Sequence, residues 1–327
     1  MEKICNNYNI TNKNILPSPL ATYPILGEFE PTGKKRTKPD GTEYEAVKRT
    51  FKRNNEEIEI TAARPLKAMD KAVYGAICTL RYELNNYYTT EILGAHCMVI
   101  PLNDIMNVLN LNPEDTKNRR RVIESLYALQ CVQIFTEWKW LSDDNKKIKA
   151  NLTISLMPTL FEVTEENKHN YGRGDKKVFA IQLHDIILNC LDKGCYIAFR
   201  DINIVKQIIK SELQTNIYDL LSLRCAKGQP HYRRFEEFIT DLQLNYQSKT
   251  DVKNLRETLD EMVKKKIITY KIEKRIGSKN IVLNLKRKPE KEQLIIEAIE
   301  SSPLFAAVHK TITESDWIQT IREILNN

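Results

Sequence analysis

RFEEFITDLQLNYQSKTDVKNLRETLDEMVKKKIITYKIEKRIGSKNIVLNLKRK, residues 234–288, decides how the rest of the chain is read. Phe235, Phe238, Ile239 and Leu242 recur at helical spacing and leave Glu236, Glu237 and Asp241 on the opposite face. After a polar turn holding Asn245, Gln247, Ser248 and Thr250, a second apolar stripe runs through Leu255, Leu259, Met262 and Val263. Ile268, Tyr270 and Ile272 then alternate with Thr269, Lys271 and Glu273, Gly277 marks a turn, and Ile281, Leu283 and Leu285 alternate back. Helix, turn, helix, hairpin is the order of a winged helix. Between Lys264 and Lys288 stand ten basic residues against one acidic, a net of +9, whereas the whole chain carries only +7. The positive field is therefore concentrated at the end of one helix and on its hairpin.

The same pattern occurs 133 residues upstream, in PLNDIMNVLNLN followed by RRRVIESLYALQCVQI. One shift, without a gap, carries Leu102 to Phe235, Ile105 to Phe238, Leu109 to Leu242, Asn112 to Asn245, Val122 to Leu255 and Leu126 to Leu259. A match that spans two helices and the turn between them indicates an internal repeat. An apolar helix precedes each copy, Ala72 to Arg81 and Asn216 to Cys225, with Tyr74 aligned on Tyr218. Ile134 to Leu141 and Ile148 to Leu156 flank the polar loop 142–147, which reads as a longer wing.

The expected fold class is α+β and mainly helical: two tandem winged-helix domains, a flexible N-terminal arm and a helical C-terminal tail. Residues 1–60 are polar and punctuated by prolines, and the cluster Lys34 to Lys38 within them reads as a solvated segment rather than a phosphate grip. A short strand is expected over Glu57 to Ala63, at the start of a first domain spanning 61–164. Residues 165–177 lack apolar periodicity, hold Gly172 and Gly174, and read as a linker. The second domain covers 178–288. Residues 289–327 change sign to a net of −4, and Leu294, Ile295, Ala298 and Ile299 are spaced as on an amphipathic helix.

Composition restricts the chemistry. Hydrophobic residues make up 42% of the 327, enough to bury cores, and the pI of about 8.9 suits a polyanionic partner. The seven cysteines form no CxxC pair and the five histidines no HxH or HExxH spacing, so no metal is expected. GRGDKK (Gly172 to Lys177) lacks the Lys-Ser/Thr ending of a phosphate loop. No cofactor and no enzymatic activity are expected. Without a bilayer-length apolar run or a signal-peptide pattern, the chain reads as cytoplasmic and free of membrane contact.

The tandem order, the helices NIYDLLSLRC, FEEFITDLQLN and LRETLDEMVKKK, and the strand pair ending NIVLNLKRK resemble the replication initiators of theta-replicating plasmids, over roughly Pro65 to Lys288. That family binds repeated origin sites, called iterons, with two winged helices. The resemblance implies that the helix from Asp251 to Lys265 enters the major groove, with Lys249, Thr250, Lys253, Asn254 and Arg256 reaching bases. Lys271, Lys274, Arg275 and Lys279 would then hold phosphates from the wing, and Lys117, Arg119, Arg120 and Arg121 would do so from the first copy. It further implies double-stranded origin DNA as ligand, a host initiator ATPase and a replicative helicase as partners, and a homodimer through the first domain. The residues themselves also fit a winged-helix transcriptional regulator, or a partition or scaffold protein that uses the same modules for protein contacts.

Overall fold

A computed structural model describes residues 13–17, 25–37, 41–53, 56–83, 89–92, 95–141, 147–163, 177–192, 197–224, 231–275 and 291–298. Within them strands occupy as much of the chain as helices do, so the fold is mixed α/β rather than mainly helical. Every strand pairing is antiparallel.

The N-terminal region is the largest departure from the sequence reading. Instead of a flexible arm, β1 (Lys13–Pro17), β2 (Glu30–Thr37) and β3 (Glu43–Arg53) are strands, and the short strand expected over Glu57 to Ala63 is β4 (Glu56–Ala62). β2, β3 and β4 join β7 (Gln133–Leu141) and β8 (Lys147–Ser155) in a five-stranded sheet ordered β2-β3-β4-β7-β8. Ala46, Phe51, Ile58, Ile60, Ala62 and Ile134 are buried in it. An antiparallel sheet with one wet face needs few apolar residues, which is why a polar segment could conceal strands. The hairpin expected as the first wing is present as β7 with β8, and β4 pairs with its β7 edge, with Ile60 opposite Ile134 and Ile58 opposite Thr136.

A four-stranded sheet, β5-β6-β10-β9, contains β5 (Thr89–Ile92), β6 (Ala95–Pro101), β9 (Thr159–Val163) and β10 (Val178–Gln182). β10 lies beyond the expected 165–177 linker, yet it pairs with β6 and β9 of the first half, so the boundary at 178 cuts through this sheet. Of that linker, only Lys177 is among the described residues. The second half holds α4 (Asp185–Asp192), β11 (Ile197–Asp201), α5 (Ile202–Ile208), α6 (Glu212–Arg224), β12 (His231–Arg234), α7 (Phe235–Asp241), α8 (Lys249–Lys264), β13 (Ile268–Arg275) and β14 (Lys291–Ala298). β14 falls where an amphipathic tail helix was expected, and it lies between β12 and β13 in a three-stranded sheet. Its register sets Leu294, Ile296 and Ala298 opposite Ile272, Tyr270 and Ile268. A short apolar run fits both the helical and the strand period, and the available sheet partners decide between them. The return strand expected over Ile281 to Leu285, and the rest of the tail, lie outside the described residues.

The repeat holds at the level of single hydrogen bonds. In the first half α1 (Ala68–Glu83) precedes α2 (Leu102–Val108) and α3 (Thr116–Gln130), and the 133-residue shift superimposes α2 on α7 and the start of α3 on the start of α8. Each short helix ends on a left-handed residue, Asn110 at φ 51° and Gln243 at φ 59°. In the first copy Leu111 N–H donates to Met106 O and Asn110 N–H to Asn107 O; in the second, Leu244 donates to Ile239 and Gln243 to Thr240. These paired bonds form a Schellman cap, which satisfies the last free carbonyls of the helix. Asn112 and Asn245 then accept from the N–H two residues on, and Asp115 and Ser248 cap the next helix.

A third such cap closes α8, with Lys266 at φ 57° and Ile267 N–H donating to Met262 O. A lysine there carries the steric cost that a Cβ meets in the left-handed region. Lys266→Gly is expected to stabilise the protein by about 1 kcal/mol, read as a higher urea midpoint at unchanged m-value.

Candidate nucleic-acid interface

α8 is fixed at its start by side chains. Ser248 Oγ caps the helix by accepting from Asp251 N–H at 3.2 Å, and the Asp251 carboxylate accepts from Asn245 N–H at 2.8 Å, which ties down the preceding turn. Leu255, Leu259 and Met262 are buried, which commits the helix to a single orientation. Lys249, Thr250, Lys253 and Asn254 are left on its exposed face.

Arg256 does not follow them outward. Its guanidinium carbon lies 5.1 Å from the centre of the Phe235 ring, a cation–π contact that folds it back against α7 and leaves it half-buried. An open cleft of about 530 Å³ runs along this flank, lined by Tyr246, Gln247, Lys249, Val252, Lys253, Arg256, Glu257 and Asp260. Tyr246, Glu257 and Asp260 had no place in the expected interface, although residues 249, 253, 257 and 260 follow helical spacing and could have been read as one face. The cleft is of mixed sign. Glu257 lies 3.7 Å from Lys253, and Asp260 accepts from the Tyr270 hydroxyl at 2.6 Å. Burial, then the hydrogen bond to Asp260, push the Tyr270 phenol up to about 12.

The basic hairpin is also less uniform than its sequence. Lys264, Lys265, Lys266 and Lys271 are all exposed, but Lys265 is engaged, donating to Gln207 O at 3.2 Å and to Gln214 Oε1 at 2.7 Å. Lys274 and Arg275 belong to β13, opposite Glu292 and Lys291 of β14, so residues counted with the acidic tail share the sheet with the wing's cations. Lys279 lies outside the described residues.

In the first half the capping carboxylate of Asp115 accepts from the N–H groups of Lys117 and Asn118. Lys117, Arg120 and Arg121 are exposed on α3, and Arg120 pairs with Glu124 at 2.8 Å. Arg119 departs from its expected phosphate role: it donates to Asn103 Oδ1 at 2.9 Å and to Pro113 O at 3.1 Å, tying α3 to α2 and to the turn. Three consecutive arginines point around a helix, and the inward direction found a carbonyl to satisfy.

Among the described residues no group of His, Cys, Asp or Glu is placed to hold a metal, and no helix is long and apolar enough to cross a membrane. No known protein family and no curated protein matches the chain by sequence. Among the solved structures that resemble it are two of RctB. The crystal structure of domains 2 and 3 of RctB, in selenomethionine form, aligns at a TM-score of 0.53 and 11% identity, covering 87% of this chain and 99% of that one. A second structure of RctB domains 2–3 aligns at 0.45 and 12%, covering 82% and 94%. The first of these likenesses establishes a shared fold.

Proposed function

We propose that this chain is a DNA replication initiator that binds duplex DNA through two tandem winged-helix units. The observation that carries the reading is the repeated strand, helix, turn, helix and strand, conserved between the two halves to the level of its caps, in a chain whose fold resembles two domains of RctB. RctB is a replication initiator of Vibrio chromosome II. On this reading α8 enters the major groove and reads bases from Lys249, Thr250, Lys253 and Asn254, with Tyr246 and Gln247 at its mouth. Arg256 reaches a base only by leaving Phe235. Lys271, Lys274, Arg275 and Lys279 hold phosphates beside it, and Lys117, Arg120 and Arg121 do so from the first half. The finer reading is a plasmid origin with repeated iterons, a host initiator ATPase and helicase as partners, and self-association through the first half. No step needs a metal or a nucleotide.

Footprinting of the purified chain on the DNA flanking its own gene tests this. Repeated protected sites of one length are expected, with neither nicking of supercoiled origin DNA nor ATP hydrolysis in the presence of magnesium. Affinity should fall with salt by about 0.9 logarithmic units per phosphate contact, so Lys271→Ala should flatten the slope by about one. Lys34→Ala, far along the chain from the wing, should leave it unchanged. A single protected site beside a regulated operon would instead indicate a transcriptional regulator.

A further inference from the structure

A closed polar cluster lies where the two halves meet. Lys71 of α1 and Asp219 of α6 form an ion pair at 2.6 Å, with both side chains at most 1% exposed. Arg200 of β11, equally buried, donates from Nη1 to Asp219 Oδ1 at 2.8 Å, and from Nη2 to Asn14 Oδ1 and, at 3.4 Å, to Lys71 O. Asn14 completes the ring by donating from Nδ2 to Ala72 O at 3.0 Å. Asn14 belongs to β1, which pairs with β11 and packs on α1, so one strand from the N-terminal region is bonded to both halves at once. Gly75 of α1 is part of the fit, because a β-carbon there would collide with Asn14 Oδ1 and Arg200 Nη2.

Stability alone does not account for such a cluster. Buried ion pairs are frequently no better than apolar side chains of the same volume, and their best-attested benefit is to fix one register. Two cations around one carboxylate, with an amide bridging to a backbone carbonyl, balance their charges only where all four elements meet, and Arg200 Nε is left there without a hydrogen-bond partner. That arrangement is connected to both outer helices. α1 packs on α3, while α6 packs on α8 and is bonded to it by Gln214 Nε2 to Glu261 Oε2 at 2.7 Å and by Lys265 Nζ to Gln214 Oε1.

We infer that Asn14, Lys71, Arg200 and Asp219 are positioning residues that hold α3 and α8 at one separation and so fix the distance between the two DNA segments that a single chain can engage. This rests on the DNA-binding reading above. Two modules held rigidly bind a correctly spaced site far more tightly than either alone, and that gain disappears when the geometry forbids joint engagement. Two modules loosely tethered tolerate many spacings.

The test uses the full chain and duplexes that it selects from a random-sequence library. Inserting about five base pairs between the two protected segments, half a helical turn, should weaken wild-type binding by at least about tenfold. In Asn14→Ala and Asp219→Asn the same insertion should cost less than about threefold, while affinity for either isolated segment stays at the wild-type value. Circular dichroism establishes that each variant is folded; if Asp219→Asn is not, the milder Asn14→Ala decides. Folded variants that keep the wild-type spacing dependence overturn the inference, as does a wild type indifferent to spacing. A wild type that retains no duplex from the library overturns the DNA-binding reading itself.

Discussion

Asp219→Ala should cost the folded protein about 3–5 kcal/mol, because it strands the Lys71 and Arg200 charges away from water. Urea unfolding monitored by circular dichroism measures it, and a loss below about 1 kcal/mol would mean that water or a nearby group takes over from the carboxylate. The cost should also depend on pH in a defined direction. Burial holds the Lys71 ammonium below its ordinary value of 10.5, against the opposing pull of Asp219, so the folded chain binds fewer protons than the unfolded chain in the window beneath 10.5. The penalty for burying the charged lysine is full below the depressed folded value and is relieved as pH rises toward 10.5. In Asp219→Ala the attraction that favours the ammonium is gone, which lowers the folded value further and widens the window. The deficit relative to wild type should therefore shrink as the medium becomes more alkaline, with Lys71 folding as the neutral amine.

Asn254→Ala is expected to reduce discrimination between selected and random duplex by about 1–3 kcal/mol, roughly 5- to 150-fold, while leaving the urea midpoint unchanged. Asn254 is exposed near the start of α8 and packs into no core, so its removal costs the fold little. Arg256→Ala should behave differently. The cation–π contact with Phe235 is lost with the side chain, so a measurable drop in stability should accompany any change in binding. Competition titrations against random duplex, paired with denaturation of each variant, separate the two. Equal discrimination in wild type and Asn254→Ala would move base reading away from this face of α8, toward the Tyr246 end of the cleft or the first half.

Local physics made half of this molecule readable from its residues. The short and long helices of each copy, the turn between them and the gapless shift of 133 follow from apolar periodicity and from the capping residues Asp115 and Ser248, which act within a few positions of themselves. The exposed positions Lys249, Thr250, Lys253 and Asn254 follow as well, since an apolar stripe fixes its own opposite face. Partners distant in the chain had to be supplied by the tertiary structure. The strands β1, β2 and β3, the pairing of β10 across the supposed linker and β14 in the supposed tail helix are decided by which sheet edges are free, and an edge has no local signature. Arg119 and Arg256 look like surface cations in sequence, but each turned toward an acceptor or a ring supplied by another element, and Lys265, though exposed, is bonded to Gln214 of α6. The ring of Asn14, Lys71, Arg200 and Asp219 draws on four elements spread over some two hundred positions. Nothing in the neighbourhood of any one of these residues predicts the other three; their burial becomes favourable only when all four meet.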